Sequence, residues 1–196
     1  MVGGVGVLVE DMTNVIYVVR SSPHVRTNNV SRKRGHIMAT RKIPNTDKLP
    51  AISVRQPYTS MIMFMLKDIE FRSWNSKYRG PMLIHASNSL PADHIARVEY
   101  DIGCSQGNLE MYFKGCYVGI ADIIDVIVYN EEDKELELKR EFAFLIGNVV
   151  PFEDVIPGKG AANLFYPTDE DWKKLKPTVD KALATLKKMN EENAEV

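Results

Sequence analysis

From Leu49 onward the chain breaks into short runs whose apolar spacing switches between the strand period of two and the helical period of three to four. Residues 51–55 alternate and predict a strand. Pro57 follows, and it suits the first turn of a helix because its missing N–H is not needed there. Met61, Ile62, Met65 and Leu66 then recur at helical spacing, and a Met-rich face of that kind ordinarily fills core. Residues 69–74 alternate again, with Ile69 and Phe71 on one side and Glu70, Arg72 and Trp74 on the other. Ile69 and Phe71 are expected to anchor this strand in the core. Residues 81–87 predict a further strand, and 91–100 a helix with Ile95, Val98 and Ile102 inward. The strongest β pattern covers 115–129, which is long for one strand, so a bulge or bend is expected near Gly119 or Asp122. Residues 131–141 read as a charged connector. Residues 142–146 fit a strand or a short helix equally well, and Pro157-Gly-Lys-Gly is a turn.

The tail predicts a helix. Thr168 is a suitable N-cap, and Asp169, Glu170 and Asp171 complement the positive end of the helix dipole. Trp172, Leu175, Val179, Leu183 and Leu186 make its apolar stripe, and Pro177 is expected to break or kink it. Three parts result: a basic, poorly ordered extension over 1–48, a domain over 49–166, and an amphipathic C-terminal helix over 167–196. Within the extension, residues 15–19 read as a short strand with no local partner.

Composition is that of a globular protein, 44% hydrophobic and 26% charged over 196 residues. No apolar run approaches the roughly 18 residues a membrane span needs, and no signal-peptide pattern opens the chain, so a cytoplasmic protein with no membrane partner is expected. Cys104 and Cys116 form no disulfide framework, the four histidines show no metal-ligand spacing, and no cofactor is expected. The net charge of −1 hides an asymmetry: residues 1–50 hold eight Lys/Arg against three acids, leaving 17 against 23 in the rest. A domain so balanced is not a general phosphate-backbone binder, and any nucleic-acid contact is local. A local patch exists, because residues 51–90 carry Arg55, Lys67, Arg72, Lys77 and Arg79 against only Asp68 and Glu70.

Candidate chemistry gathers in that stretch. Lys67, Glu70, Arg72 and Trp74 combine charges with an aromatic on one strand face; the pattern fits a surface ion pair and a site equally well. Gln56 stands at a strand-to-helix junction, where it caps the helix or meets a ligand. Tyr58, Trp74 and Tyr78 offer stacking faces, and Lys77-Tyr78-Arg79-Gly80 is a basic turn. His85 reads as a core histidine.

These segments, in this order, resemble the ASCH domain of the PUA-like superfamily. The resemblance rests on Ile52-Ser-Val-Arg-Gln-Pro-Tyr58, the Lys-x-x-Glu-x-Arg-x-Trp element from Lys67 to Trp74, and Tyr78-Arg79-Gly80-Pro81 through Ser87. It resumes at 115–126 and at Pro157-Gly-Lys159-Gly160, covering about 50–166. It implies an α+β, β-rich fold: a mostly antiparallel PUA-like β-barrel with peripheral short helices. A cleft between barrel and first helix would take single-stranded RNA or a modified nucleoside. One bacterial branch hydrolyses acetylated cytidine with a lysine, a threonine and a downstream glutamate. Lys67 matches the lysine, but Glu70 stands where the threonine would be, and a neighbouring carboxylate keeps a lysine protonated.

Three functions follow. In a binding module, Gln56, Lys67, Glu70, Arg72, Arg79 and Lys159 contact a nucleotide while Tyr58 or Trp74 stacks. In a small hydrolase, an amidohydrolase or a ribonuclease, Lys67 and Glu70 are catalytic. In a protein-interaction module, the acidic 131–141 segment is the partner surface.

Overall fold

The structure, a computed structural model, describes residues 7–10, 16–19, 47–101, 112–133 and 138–194. Near the N-terminus β1 (Val7–Glu10) and β2 (Ile16–Val19) pair antiparallel, Val7 opposite Val19. The strand expected at 15–19 therefore has a local partner after all, supplied by the β-branched run just before it. The basic run at 32–34 and Cys104 lie outside the described residues.

The remaining elements are β3 (Ala51–Val54), α1 (Tyr58–Met63), β4 (Ile69–Arg72), β5 (Gly80–Ala86), α2 (Ala92–Asp101), β6 (Cys116–Asp133), β7 (Leu138–Pro157), β8 (Leu164–Phe165) and α3 (Asp169–Ala194). Six strands form one mixed sheet in the order β4-β7-β6-β5-β3-β8. All neighbours are antiparallel except β3 and β5, which run parallel with Ser53 opposite His85. The fold is α+β as expected, but the sheet is not closed into a barrel by strand pairing among the described residues. It curls instead, until Arg72 of β4 donates from Nη2 to the Ser53 carbonyl of β3 at 2.7 Å, across three intervening strands. That carbonyl is available because the parallel ladder uses alternate residues: the carbonyls of Pro50 and Val54 accept from Leu83 and Ser87, while β8 covers only Ala51 and Ile52.

The long β6 strand is irregular where its length demands it, with register shifts at Tyr117/Gly119, Ala121/Ile123, Ile123/Asp125 and Val128/Glu131. The charged segment is strand rather than connector at both its ends. In that register Glu131 falls opposite Arg140 and Glu132 opposite Lys139. Residues 142–146, undecided by periodicity, belong to β7.

The sheet buries both faces. One face carries Ile52, Val54, Met82, Ile84, Val118 and Phe144 against Ile62 of α1. The other carries Ala51, Leu83, Tyr117, Ile120 and Phe152 against Trp172, Leu175, Val179, Ala182 and Leu186 of α3. Period two in the strands and the heptad-like stripe in α3 produce this division. Helix α1 comes close to β6 because Gly119 has no side chain; a Cβ there would stand 2.7 Å from both Met63 Sδ and the Val150 carbonyl oxygen. Helix α3 runs through Pro177 rather than ending there. Pro177 sits on the exposed side, where the Lys173 carbonyl that loses its partner can be hydrated, and Leu175 and Val179 hold the turn from within.

Candidate ligand-binding site

Strand β4 turns the opposite way from the simplest reading of its pattern. Glu70 lies opposite buried Phe144, and the Trp74 ring meets the Phe144 ring edge-on at 5.0 Å, so Glu70, Arg72 and Trp74 face the concave, core-lining side. Phe71 is left half-buried on the other face, 4.8 Å from the Tyr129 ring. Apolar Ile69 and Phe71 do not anchor the strand in the main core; a charged network and Trp74 do.

In that network Glu70 bridges two cations. Its Oε2 accepts from Lys67 Nζ at 2.5 Å and its Oε1 lies 3.0 Å from Arg72 Nη2. The three side chains are only 17%, 12% and 20% exposed, which separates them from an ordinary surface pair. Lys67 also donates to the Ile69 carbonyl and lies 5.8 Å from the centre of the Tyr58 ring. Both contacts occupy Nζ, the atom a lysine nucleophile would need free. Arg72 is bound through Nη2. Its Nε is buried without a partner, and its Nη1 has none among the described residues.

The other predicted residues divide. Tyr58 stands beside Lys67, its hydroxyl 3.3 Å from His94 Nδ1 of α2. Gln56 is buried: its amide donates to the Phe113 carbonyl at 2.8 Å and its oxygen accepts from the Ser60 N–H and hydroxyl, so it fixes the start of α1. Arg79 is tied elsewhere, to Asp125 at 2.6 Å and to the carbonyls of Ser76 and Tyr78. Tyr78 donates to the Pro81 carbonyl, and burial pushes its pKa up to about 12. Lys159 is exposed on the turn after β7.

That turn rests on two residues the pattern did not select as site residues. A Cβ on Gly160 would lie 2.4 Å from Ser53 Oγ and 2.6 Å from His85 Nδ1. His85 is buried, as expected of a core histidine, with Nδ1 3.2 Å from Ser53 Oγ and Nε2 3.1 Å from the Gly158 carbonyl oxygen. Burial lowers its pKa, only partly offset by the Gly158 hydrogen bond and by Asp171. The described residues offer no group of His, Cys, Asp and Glu able to hold a metal ion, and no helix long and apolar enough to cross a membrane. Two shallow grooves, of about 360 and 490 Å³, run along α3, lined by Asp122, Asn148 and Asn190 and by Pro81, Leu183 and Leu186. Neither includes Lys67, Arg72 or Lys159.

The sequence profile of the ASCH domain matches residues 52–185. This chain belongs to the ASCH domain family. The ASCH match runs past the 166 expected from the motifs and into α3, in keeping with the burial of that helix's apolar stripe against the sheet. Solved structures that it resembles include an ASCH protein from Zymomonas mobilis, at 14% identity over 66% of this chain and 94% of that one, with a TM-score of 0.44. A tyrosine-to-phenylalanine mutant of the same protein matches at 14% identity over 66% and 97%, also at 0.44. No curated protein matches. Within this ASCH chain, Ser53 and His85 carry a signal visible only in retrospect: a Ser and a His at matching positions of two strands that pair in parallel, with a Gly-Lys-Gly turn to cover them.

Proposed function

We propose that this protein binds a nucleotide or a short single-stranded RNA at the rim formed by Lys67, Glu70, Arg72 and Lys159, with Tyr58 or Trp74 as the stacking face. The observation that carries this reading is the guanidinium of Arg72, drawn to the sheet seam by Ser53 and Glu70 with no acceptor at Nη1 among the described residues, on the same Ser53 against which the turn bearing Lys159 packs. Membership of a family linked to RNA binding agrees with it. Gln56 then acts by positioning α1, and Arg79 lies apart, occupied by Asp125.

Fluorescence anisotropy with a labelled single-stranded oligonucleotide tests this. Arg72→Ala and Lys159→Ala are each expected to weaken binding by about tenfold, the loss of one charge-assisted hydrogen bond. With about two phosphates neutralised, log K should fall against log salt with a slope of about −1.4. Equal affinity in both variants would remove the site. A hydrolase built on Lys67 and Glu70 is the weaker reading on the same geometry, since Lys67 Nζ already donates to Glu70 and to the Ile69 carbonyl. Glu70 as general base on a water, with Lys67 or Arg72 stabilising an oxyanion, is the form that reading takes. It predicts turnover of acetylated cytidine or RNA that is lost in Glu70→Gln.

A further inference from the structure

Ser53 is reached by residues from both ends of the domain. Its carbonyl accepts from Arg72 Nη2 at 2.7 Å, its hydroxyl lies 3.2 Å from His85 Nδ1, and Gly160 packs against Oγ so closely that a Cβ would stand at 2.4 Å. The turn at 158–160 is fixed on two more sides. The Gly158 N–H donates to the Gly115 carbonyl at 3.1 Å, and the Gly158 carbonyl oxygen lies 3.1 Å from His85 Nε2. A carbonyl only accepts, so Nε2 carries the imidazole proton and Nδ1 is left to accept from the Ser53 hydroxyl. Several donors remain open here. The Lys159 and Gly160 N–H groups have no acceptor among the described residues, and neither has Arg72 Nη1. Lys159 itself is exposed. Open donors on a guanidinium and on an exposed turn suit a ligand group that accepts.

We propose that Arg72 and the turn at 158–160 form a phosphate subsite over Ser53, with His85 as the residue that positions the turn. The subsite rests on the nucleotide-binding reading for the source of its phosphate. The charges around it are Lys67, Arg72 and Lys159 against Glu70 and Asp171, the last close enough that a Cβ on Gly158 would lie 3.5 Å from its carboxyl carbon. The balance is one positive charge, which matches a phosphodiester.

The test is a titration of nitrogen-15-labelled protein at fixed ionic strength with inorganic phosphate, uridine, uridine 5′-monophosphate and single-stranded oligouridylate. Phosphate, the monophosphate and the RNA are expected to move the Lys159 and Gly160 amide resonances saturably, and uridine is not. Arg72→Gln should weaken phosphate binding by about tenfold, whereas Asp171→Asn should tighten it by about two- to fivefold as one repelling charge is lost. His85→Gln keeps a donor and an acceptor and should retain binding, whereas His85→Phe should lose it. Should His85→Phe not fold, Gly160→Ala displaces the turn without touching the imidazole and should also lose it. RNA that binds without moving these amides would overturn the subsite and leave the RNA reading standing. Saturable phosphate binding with no RNA binding would sustain the subsite and overturn the RNA reading.

Discussion

Truncating Arg72 removes the partner of the Ser53 carbonyl and one of the two cations that the little-exposed Glu70 bridges. Arg72→Ala is therefore expected to destabilise the fold by about 2–4 kcal/mol in urea unfolding. A change below about 0.5 kcal/mol would mean that the seam carries no energy. His85 makes a pH prediction. The unfolded chain takes up a proton near the ordinary histidine value of 6.5, whereas burial keeps the native imidazole neutral to lower pH. The unfolded state binds more protons in that window, so stability falls as pH drops below about 6.5 and is regained above it. Melting curves between pH 7.5 and 5 should show this slope in the native protein and a flatter one in His85→Gln. At this scale the period-two pattern made Glu70, Arg72 and Trp74 legible as one face. It could not show that the face turns inward, because Ile69 and Phe71 are the more apolar set and nothing local records that Phe144 will lie opposite Glu70. Ser53 and His85 were legible only as residue types, since their partner Gly160 comes from far along the chain.

Among the elements, α3 separates propensity from packing. Pro177 removes one helical hydrogen bond, yet Trp172, Leu175, Val179, Ala182 and Leu186 keep a single face buried on both sides of it. Pro177→Ala should restore that bond and raise stability by about 1–3 kcal/mol, read from the denaturation midpoint. An unchanged midpoint would indicate a helix already interrupted there. The far end of α3 is fastened by side-chain amides: Asn190 donates to Asp122 at 3.0 Å and accepts from Asn148 at 2.7 Å. These bonds are exposed, so losing them affects fraying more than global stability. The order of strands and helices from 51 to 101 and the bulges of β6 were readable from period and length, but α1 ends at Met63 and leaves Met65 and Leu66 of the expected helical face exposed. The strand character at both ends of the 131–141 segment was not, because charge alone suggests a loop until the pairing of Glu131 with Arg140 and Glu132 with Lys139 is known.

For the whole molecule, the start of the domain is clamped to its last helix. Lys48 Nζ donates to the Pro167 carbonyl at 3.1 Å and to Asp169, whose carboxyl pKa is held low by that contact. A chain beginning at Asp47 is expected to melt as the full chain does, whereas one beginning at Ala51 should melt at a lower temperature and with an α3 N-terminus more open to amide exchange. Equal melting of both would show the clamp to be ornamental. The mixed order of the sheet follows from β3, which pairs with β5 and β8 on its two sides and has no hairpin partner. That position has a temporal side. Ser53 leaves the ribosome early, but its parallel partner β5 comes later, and Gly158, Gly160 and β8 follow only after the whole β6–β7 hairpin. Contacts so distant in sequence are slow to form, and a chain halted before Gly158 holds Arg72 and Glu70 without the turn that covers Ser53. The proposed ligand site at Ser53 is thus one the protein completes near the end of its own synthesis, and a truncated product would have the charges without the turn that aims them.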